Sequence, residues 1–553
     1  MSSLAEGLKN VVKGEVRSDD ETLKKFSHDA SLFEVRPQVI VSPKNVEDIK
    51  KLVTFISEHK KENPELSLTA RSAGTDMSGG ALSESIVLDM LPHFAGTIDV
   101  NKELLEAQVL PGTYYRDFET MTLIKGLLMP AYTASRELCT VGGMVANNAG
   151  GEKTLRYGKV EDFIKKLKVV LADGNEYEVR ALTKFELEQK IFENTFEGNL
   201  YRALYSLLTT NDLLLKSAKP NVSKNSAGYY LWNVWNGQTF DLTKLIVGSQ
   251  GTLGIITEIT FRLVPVKKMS RLLAIFLRDL TPLADITNIL LKFKLESLEV
   301  YDDNTLKLAM KFFPDLLRIL KPKNLLKLMW NFWPEALMML RGGMPKLVLL
   351  AEIAGDDEAE IKHTLLAMRK AVEEFHRPMR ITASTEETNK YFTIRRESFN
   401  LLRKHIHGKR TAPFIDDLIV RPEVLPEFLP KLEKILNDYK LMYTIAGHDG
   451  NGNLHIIPLM DMRDTKNIDV IVAVGEKVYD LVIEYHGSIT AEHNDGLIRT
   501  PYLEKMYGKE VTALFAETKK IFDPQNIFNP GKKVPIADGA GTLEYMQKHL
   551  ATK

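Results

Sequence analysis

The chain has 553 residues, 44% hydrophobic and 26% charged, with 73 basic and 73 acidic side chains. A balanced charge gives no global pointer to nucleic acid, and the length asks for two or more domains, because single cores rarely grow past roughly 300 residues. The single cysteine, Cys139, excludes an intramolecular disulfide and a cysteine-ligated iron–sulfur cluster within this chain.

The N-terminus lacks the apolar core of a signal peptide, which reads as a cytoplasmic protein. Residues 37–41 read as a short strand. Pro43 and Glu47 then open a helix, with proline near its start and an acid in its first turn. Ile49, Leu52, Val53 and Ile56 keep helical spacing. Residues 66–70 are the next strand and run directly into a glycine loop at 71–81; 86–89 and 107–110 are further strands. This is α/β alternation. It closes at a strong strand pattern, 254–263, with a boundary expected near Pro265, Lys267 and Lys268.

Two further segments share the small-residue character of the 71–81 loop. One spans 135–151 and adds Asn147 and Asn148 to its glycines; the other spans 248–254. Glycines allow positive φ and close backbone approach, and the amides of such loops can converge on a pyrophosphate. A large planar cofactor needs a slot lined by backbone in this way. Neither a Walker lysine pattern nor a Gly-x-Gly-x-x-Gly fingerprint is present. Each loop could be a tight turn, but three in one domain are hard to explain so. A lysine-rich insert, 184–241, lies between the second and third loops; within it, residues 224–229 have the look of a loop approaching a site.

The second half begins with strand–helix units at 272–276 and 347–353, which suggest an α+β domain with an antiparallel sheet. The stretch 311–341 mixes Phe312, Phe313, Trp330, Phe332 and Trp333 with lysines and arginines. Its charges recur too often for a bilayer span. It reads as a helical cap on its own domain, with a membrane-interface segment as the alternative. Apolar runs at 441–446 and 454–460 flank turn-rich residues 449–453, a hairpin pattern that sets His448 and His455 facing each other across the tip. Imidazoles so placed suit a divalent cation, and a carboxylate such as Glu492 is a common third ligand. Three protein ligands leave positions open for substrate. The bland alternative is a hairpin with two surface histidines; the adjacent Glu492–His493 pair and the glycine loops weigh against it.

Together these motifs resemble the FAD-binding domain of the vanillyl-alcohol oxidase/p-cresol methylhydroxylase superfamily. The C-terminal half, including the closing residues 522–532, resembles the FAD-linked oxidase C-terminal domain of D-lactate, glycolate and D-2-hydroxyglutarate dehydrogenases. The match covers about 37–533. The resemblance implies an α+β protein. A p-cresol-methylhydroxylase-type FAD-binding domain of two α/β subdomains (1–266, insert 184–241) precedes an α+β substrate and metal domain with an antiparallel sheet (267–533), and a tail follows (534–553).

It also implies that FAD is held by Arg71, Ser72, Ala73, Gly74, Thr75, Asp76, Ser78 and Gly79 of the first loop. Around the second loop it implies Pro130, Ser135, Thr140, Gly142, Gly143, Ala146, Asn147, Asn148, Gly150, Gly151 and Gly158, and beyond it Gly254, Ile255, Ile256 and Asn529. Thr75 and Asp76 stand where some members carry a histidine that bonds the flavin, so FAD is expected to be noncovalent. His448, His455 and Glu492 are implied ligands of zinc or manganese, and His493 an implied general base. Arg395, with Arg396 as the second choice, is the implied partner of the substrate carboxylate.

The implied reaction oxidises a D-2-hydroxy acid to the 2-oxo acid by hydride transfer to flavin N5. Electrons then pass to an external acceptor: a quinone, an electron-transfer flavoprotein, another protein or oxygen. The stretch 311–341 makes peripheral contact with the inner face of a cell membrane part of this expectation. The chain departs from the branch at Asn451, usually aspartate, and at Gln250, usually glutamate. Ile456 and Ile457 stand where 2-hydroxyglutarate enzymes tend to have an asparagine, and 413–417 lacks their lysine. Apart from Gln250, these changes count against 2-hydroxyglutarate and leave a smaller or more apolar 2-hydroxy acid, such as D-lactate, as the expected substrate. The alternatives are a sugar or aldonolactone oxidase of the same architecture, or a flavin subunit that only relays electrons.

Overall fold

A computed structural model describes residues 4–312, 315, 343–405, 408–536 and 540–552. The basic aromatic stretch of the sequence, from 313 onward, falls outside these residues apart from Asp315.

The N-terminal sheet has four strands in the order Glu15–Arg17, Val39–Ser42, Ile86–Asp89, Leu68–Arg71. Val39–Ser42 and Leu68–Arg71 both run parallel to Ile86–Asp89. Every residue of Val39–Ser42 and Ile86–Asp89 is buried, as expected of parallel strands covered on both faces. The helix Val46–His59 supplies one cover. Asn45 caps it by accepting the Asp48 amide, and Ile49, Leu52, Val53 and Ile56 form its buried stripe.

The second sheet has six strands, and all its pairings are antiparallel. Its edge strand Thr239–Asp241 comes from the insert, whose helices Lys184–Phe192, Phe196–Thr210 and Asp212–Ala218 precede it. Leu200, Tyr201, Leu204 and Leu208 of the insert share a core with Val511, Phe515 and Phe522 of the late helix Leu503–Phe522. The insert is thus clamped between the two halves of the molecule.

Between Pro265 and Met269 the chain leaves the strand Val264–Pro265 and enters the C-terminal sheet. That sheet has eight strands and is antiparallel throughout. Its hairpin, Met442–His448 and Asn453–Met460, pairs His448 with Asn453 and Ala446 with His455. The two-residue period therefore puts both histidines on one face. Gly452 closes the tip at φ +71°, where a Cβ would run into the Val420 carbonyl oxygen; no other residue fits there.

After Leu503–Phe522 the chain returns to the first sheet. Leu68 donates to Ile527 O at 2.7 Å and accepts from the Asn529 amide at 3.0 Å, which places 527–529 beside the strand Leu68–Arg71. Lys519 and Asp523 lock this return. Asp523 accepts the amides of Ile527 and Phe528, and Lys519 donates to the carbonyls of Thr252 and Phe528.

Candidate active site

The three glycine loops meet at one cleft. The structure brings Arg71, Ser72, Ala73, Gly74, Thr75, Asp76, Thr140, Gly142, Gly143, Ala146, Asn147, Gly254 and Ile256 to its wall. Small residues are required where backbone packs on backbone: a Cβ on Gly142 would lie 2.5 Å from Pro111. Thr140 caps the helix Val141–Asn147 and shares a hydrogen bond with Ser72, joining the first and second loops.

The other expected contacts stand behind this wall. Ser78 is buried between Asp76 and Gln250. Gly79 packs on Phe33, Gly150 on Glu492, Gly151 on the Tyr132 carbonyl and Gly158 on Asp162. Pro130 and Ile255 are buried, Ser135 bonds Thr133, and Asn148 ends the helix in the left-handed region. Asn529 is a buttress: its Nδ2 donates to the carbonyls of Gly80 and Gln250, and its Oδ1 accepts from Thr69.

Asp76 is occupied within the wall. Its carboxylate accepts from the amides of Ser78 and Gly80, the Ser78 hydroxyl and Asn147 Nδ2. Gln250 donates to Ser78 Oγ and Asn147 Oδ1, and its Oε1 accepts the Gly496 amide at 2.8 Å. An amide matches both sides of this position. A glutamate would serve only the Gly496 side and would face Asn147 Oδ1 with a second acceptor.

A second cluster lies against the first. His448 Nε2 and His455 Nε2 both approach Glu492 Oε1, at 3.3 and 3.5 Å. Their other nitrogens are backed by carboxylates: His448 Nδ1 lies 2.7 Å from Glu299 Oε1 and His455 Nδ1 3.3 Å from Asp416 Oδ1. A carboxylate only accepts, so each Nδ1 is placed to carry a proton, which leaves each Nε2 to donate to Glu492 or, once deprotonated, to bind a cation. Without a metal, protons on the Nε2 atoms can meet Glu492 Oε1 directly; with the Nε2 lone pairs turned forward, the two imidazoles and the carboxylate oxygen make a three-donor set for a cation. This is the carboxylate–histidine backing found around bound metals. His493 stacks on His455 with ring centroids 5.0 Å apart, and its Nδ1 lies 2.7 Å from Asp416 Oδ2, off the line of a hydrogen bond.

Charge around the cluster follows the same logic. Burial pushes the Glu492 carboxyl up, but Lys224, His448 and His455 together hold it well below the usual range. Lys224 Nζ sits 2.9 Å from Glu492 Oε2. Burial disfavours the imidazolium of His455, yet Asp416 and Glu492 lift it to about 10; against the same cost, Asp416 and Asp417 raise His493. The ligand atoms of Asp417, His455, Glu492 and His493 all lie within 4.8 Å of one another, and His448 joins them through Glu492. Asp417, however, already accepts hydrogen bonds on both oxygens, so His448 is the better donor to a cation.

Arg395 is buried on the helix Thr385–His405 and pairs with Glu299, the carboxylate that backs His448. Arg396 is held by Glu152. Of the two arginines, Arg395 is therefore the one placed on the histidine cluster.

The two clusters are joined directly. A Cβ on Gly150 would meet Glu492 Oε2 at 2.6 Å. Asn494 Nδ2 donates to the carbonyls of Asn147 and Gly248 at 3.2 and 2.9 Å. The wall of the cleft and the loop that carries Glu492 and His493 are thus in contact. Sequence reasoning marked the loop at 224–229 but not the pairing of Lys224 with Glu492. It missed Glu299, Asp416 and Asp417 as parts of the site. A glutamate inside Ser297–Asp302, a strand buried at all six positions, was the available signal for Glu299, because such acids are almost always paired.

Residues 267–533 match the family described as FAD linked oxidases, C-terminal domain, and residues 37–180 match the FAD binding domain. The chain is 26% identical over 525 residues to a D-2-hydroxyglutarate dehydrogenase of Pseudomonas putida, covering 94% of this chain and 50% of that protein. It is 27% identical to a glycolate oxidase subunit of Bacillus subtilis, covering 94% of each, and 25% identical to a D-lactate dehydrogenase of Anaerostipes hadrus, covering 96% of each. The chain thus spans about half the length of the Pseudomonas putida relative and nearly all of the other two. Crystalline p-cresol methylhydroxylase superposes with a TM-score of 0.68 at 15% identity, covering 97% of each chain. An alkyldihydroxyacetonephosphate synthase gives 0.64 at 14% identity, covering 94% of this chain and 82% of that one. At such identities the likeness is one of fold.

Proposed function

The chain belongs to the FAD-linked oxidases, and from that premise we propose that it oxidises a small D-2-hydroxy acid, of the D-lactate kind, to the 2-oxo acid. The observation that carries this reading is the convergence of His448 Nε2 and His455 Nε2 on one oxygen of Glu492. It lies on a loop that abuts the glycine-lined cleft.

The glycine walls of the cleft suit FAD, whose pyrophosphate the first loop would hold and whose ring system the second would line. When bound, FAD supplies the acceptor for the hydride on C2. A zinc or manganese ion on His448, His455 and Glu492 would supply Lewis acidity to the substrate hydroxyl. His493 receives the hydroxyl proton on Nε2, since its Nδ1 faces Asp416. Arg395 binds the substrate carboxylate, with Glu299 setting the position of its guanidinium.

Substrate size follows from the strand that carries His455. Ile457 lies two residues on, on the same face, so an apolar side chain stands beside the cluster where a distal carboxylate would need a donor. This supports a short acid over 2-hydroxyglutarate. Electrons leave to an external acceptor. No described helix is long and apolar enough to cross a membrane; a cytoplasmic site of action, with peripheral membrane contact through 311–341, belongs to the proposal.

The test is a panel of D- and L-2-hydroxy acids with an artificial dye as acceptor. D-lactate or a near neighbour should reduce the dye at least about tenfold faster than its L-enantiomer, and should bleach the flavin without air. If no hydroxy acid bleaches it, the reading fails. A sugar lactone that bleaches it instead would establish the aldonolactone alternative. The flavin itself is expected to be noncovalent. Thr75 is a poor partner for a flavin bond, and Asp76 is saturated with hydrogen bonds. Acid precipitation should therefore leave the yellow colour in the supernatant; a yellow pellet refutes this.

A further inference from the structure

One carboxylate touches both segments that carry the histidine–glutamate cluster. Asp417 is fully buried. Its Oδ2 accepts four hydrogen bonds, from the Thr490 hydroxyl at 2.7 Å and from the amides of Ala491, Glu492 and His493 at 2.8, 2.7 and 2.7 Å. Residues 490–493 belong to no helix or strand; the Ala491 amide also reaches the Asp417 carbonyl at 3.1 Å, and the Asp417 carboxylate gathers all three consecutive amides on one atom. Its Oδ1 accepts from Asn453 Nδ2 at 3.0 Å. Asn453 begins the strand of His455 and faces His448 across the hairpin.

Asp417 holds the left-handed backbone conformation, φ +71°, which aspartate tolerates better than most residues. The sharp turn sends neighbouring carboxylates to different partners. Asp416 faces the rings of His455 and His493, while Asp417 faces the backbone that carries Glu492 and His493. An oxygen with four short donors has no lone pair left for a cation.

Resting on the function proposed above, we propose that Asp417 is a positioning residue. Its carboxylate fixes the spacing between the hairpin histidines and the Glu492–His493 pair, and binds neither cation nor substrate itself. The expected leverage is large, since a misplacement of about 1 Å at a reacting group costs on the order of a hundredfold in rate.

The test compares Asp417→Asn with the double variant Asp417→Asn, Asn453→Asp, each as full-length enzyme carrying FAD and metal. In the single variant the new amide sets one NH₂ against Asn453 Nδ2. Asn453 is kept from flipping by Lys224, whose Nζ lies 3.2 Å from its Oδ1. In the double variant the carboxylate introduced at position 453 accepts from both the new amide at position 417 and Lys224, while the Leu418 carbonyl loses the donor it has in Asn453 Nδ2 at 3.1 Å, so the rescue is partial. Asp417→Asn should keep FAD and metal, lose about a hundredfold in kcat with little change in KM, and show faster hydrogen exchange at amides 491–493. The double variant should recover at least about tenfold of the lost rate, by the same positional argument.

Wild-type kcat with wild-type exchange in Asp417→Asn overturns the inference. So does loss of metal with no recovery in the double variant, which would make Asp417 a ligand. If Asp417→Asn does not fold, Thr490→Val removes one of the four donors, and unchanged exchange there overturns the inference equally. A wild-type enzyme with neither metal nor hydroxy-acid turnover overturns the function proposed above, and this inference with it.

Discussion

Replacing His455 by alanine should stop hydroxy-acid-dependent dye reduction while leaving the flavin in place. His455 contributes one of the two Nε2 atoms that meet Glu492, and nothing on its ring touches the glycine cleft. Losing it would remove one of the proposed ligands and leave Asp416 and Glu492 with less compensation. Lewis-acid polarisation is worth several kcal/mol in such reactions, and each 1.36 kcal/mol is tenfold, so the expected loss is about a thousandfold or more. Metal content by mass spectrometry should fall with it, and the flavin absorbance should not. The same rate loss should follow treatment of wild type with a chelator, and added zinc or manganese should restore wild type but not the variant. A variant that oxidises D-lactate normally would show that the cluster is not the seat of the chemistry.

His493→Ala is expected to separate metal binding from proton transfer. The ring of His493 stacks on His455 and sets its Nδ1 2.7 Å from Asp416, the carboxylate that also backs His455. Its removal should leave metal and FAD at wild-type levels and lower kcat by roughly 10²- to 10⁴-fold, the usual contribution of a positioned base. Imidazole added to the assay should recover part of the loss, because the vacated ring site would open beside the proposed substrate position. If the variant loses its metal instead, His493 is a ligand and the proton goes elsewhere. Near-normal turnover would leave His493 with only a packing role.

The parts of this site that were legible in the sequence are those built by local rules. The hairpin follows from two apolar runs around a turn-rich tip, and period two then puts His448 and His455 on one face. The glycine loops follow from composition, and the first, second and third do meet at one cleft. Glu299, Asp416, Asp417 and Lys224 were not legible in the same way. Each is an ordinary polar residue in its own segment, and its role exists only after distant segments close up: Lys224 and Glu492 are 268 residues apart. The reading of α/β alternation up to 263 also merges two different sheets. Only the first four strands form the mixed parallel sheet; Thr97–Asn101 and Glu106–Val109 enter the antiparallel one. The alternating burial of Glu106–Val109 marks a strand with one wet face, a sign of antiparallel pairing that a four-residue run states too briefly to be read from sequence.

The return of residues 527–529 to the strand Leu68–Arg71 bears on how this protein is made. Asn529 ties together two cleft loops, and its bond to Gly80 spans 449 positions. A nascent polypeptide therefore exposes all three glycine loops long before the piece that braces them leaves the ribosome. If the cleft holds FAD only once Asn529 is in place, capture of the dinucleotide would follow synthesis of residue 529, and colour would report that synthesis has passed that point. Clipping a few residues near position 529 would loosen a binding site encoded far upstream.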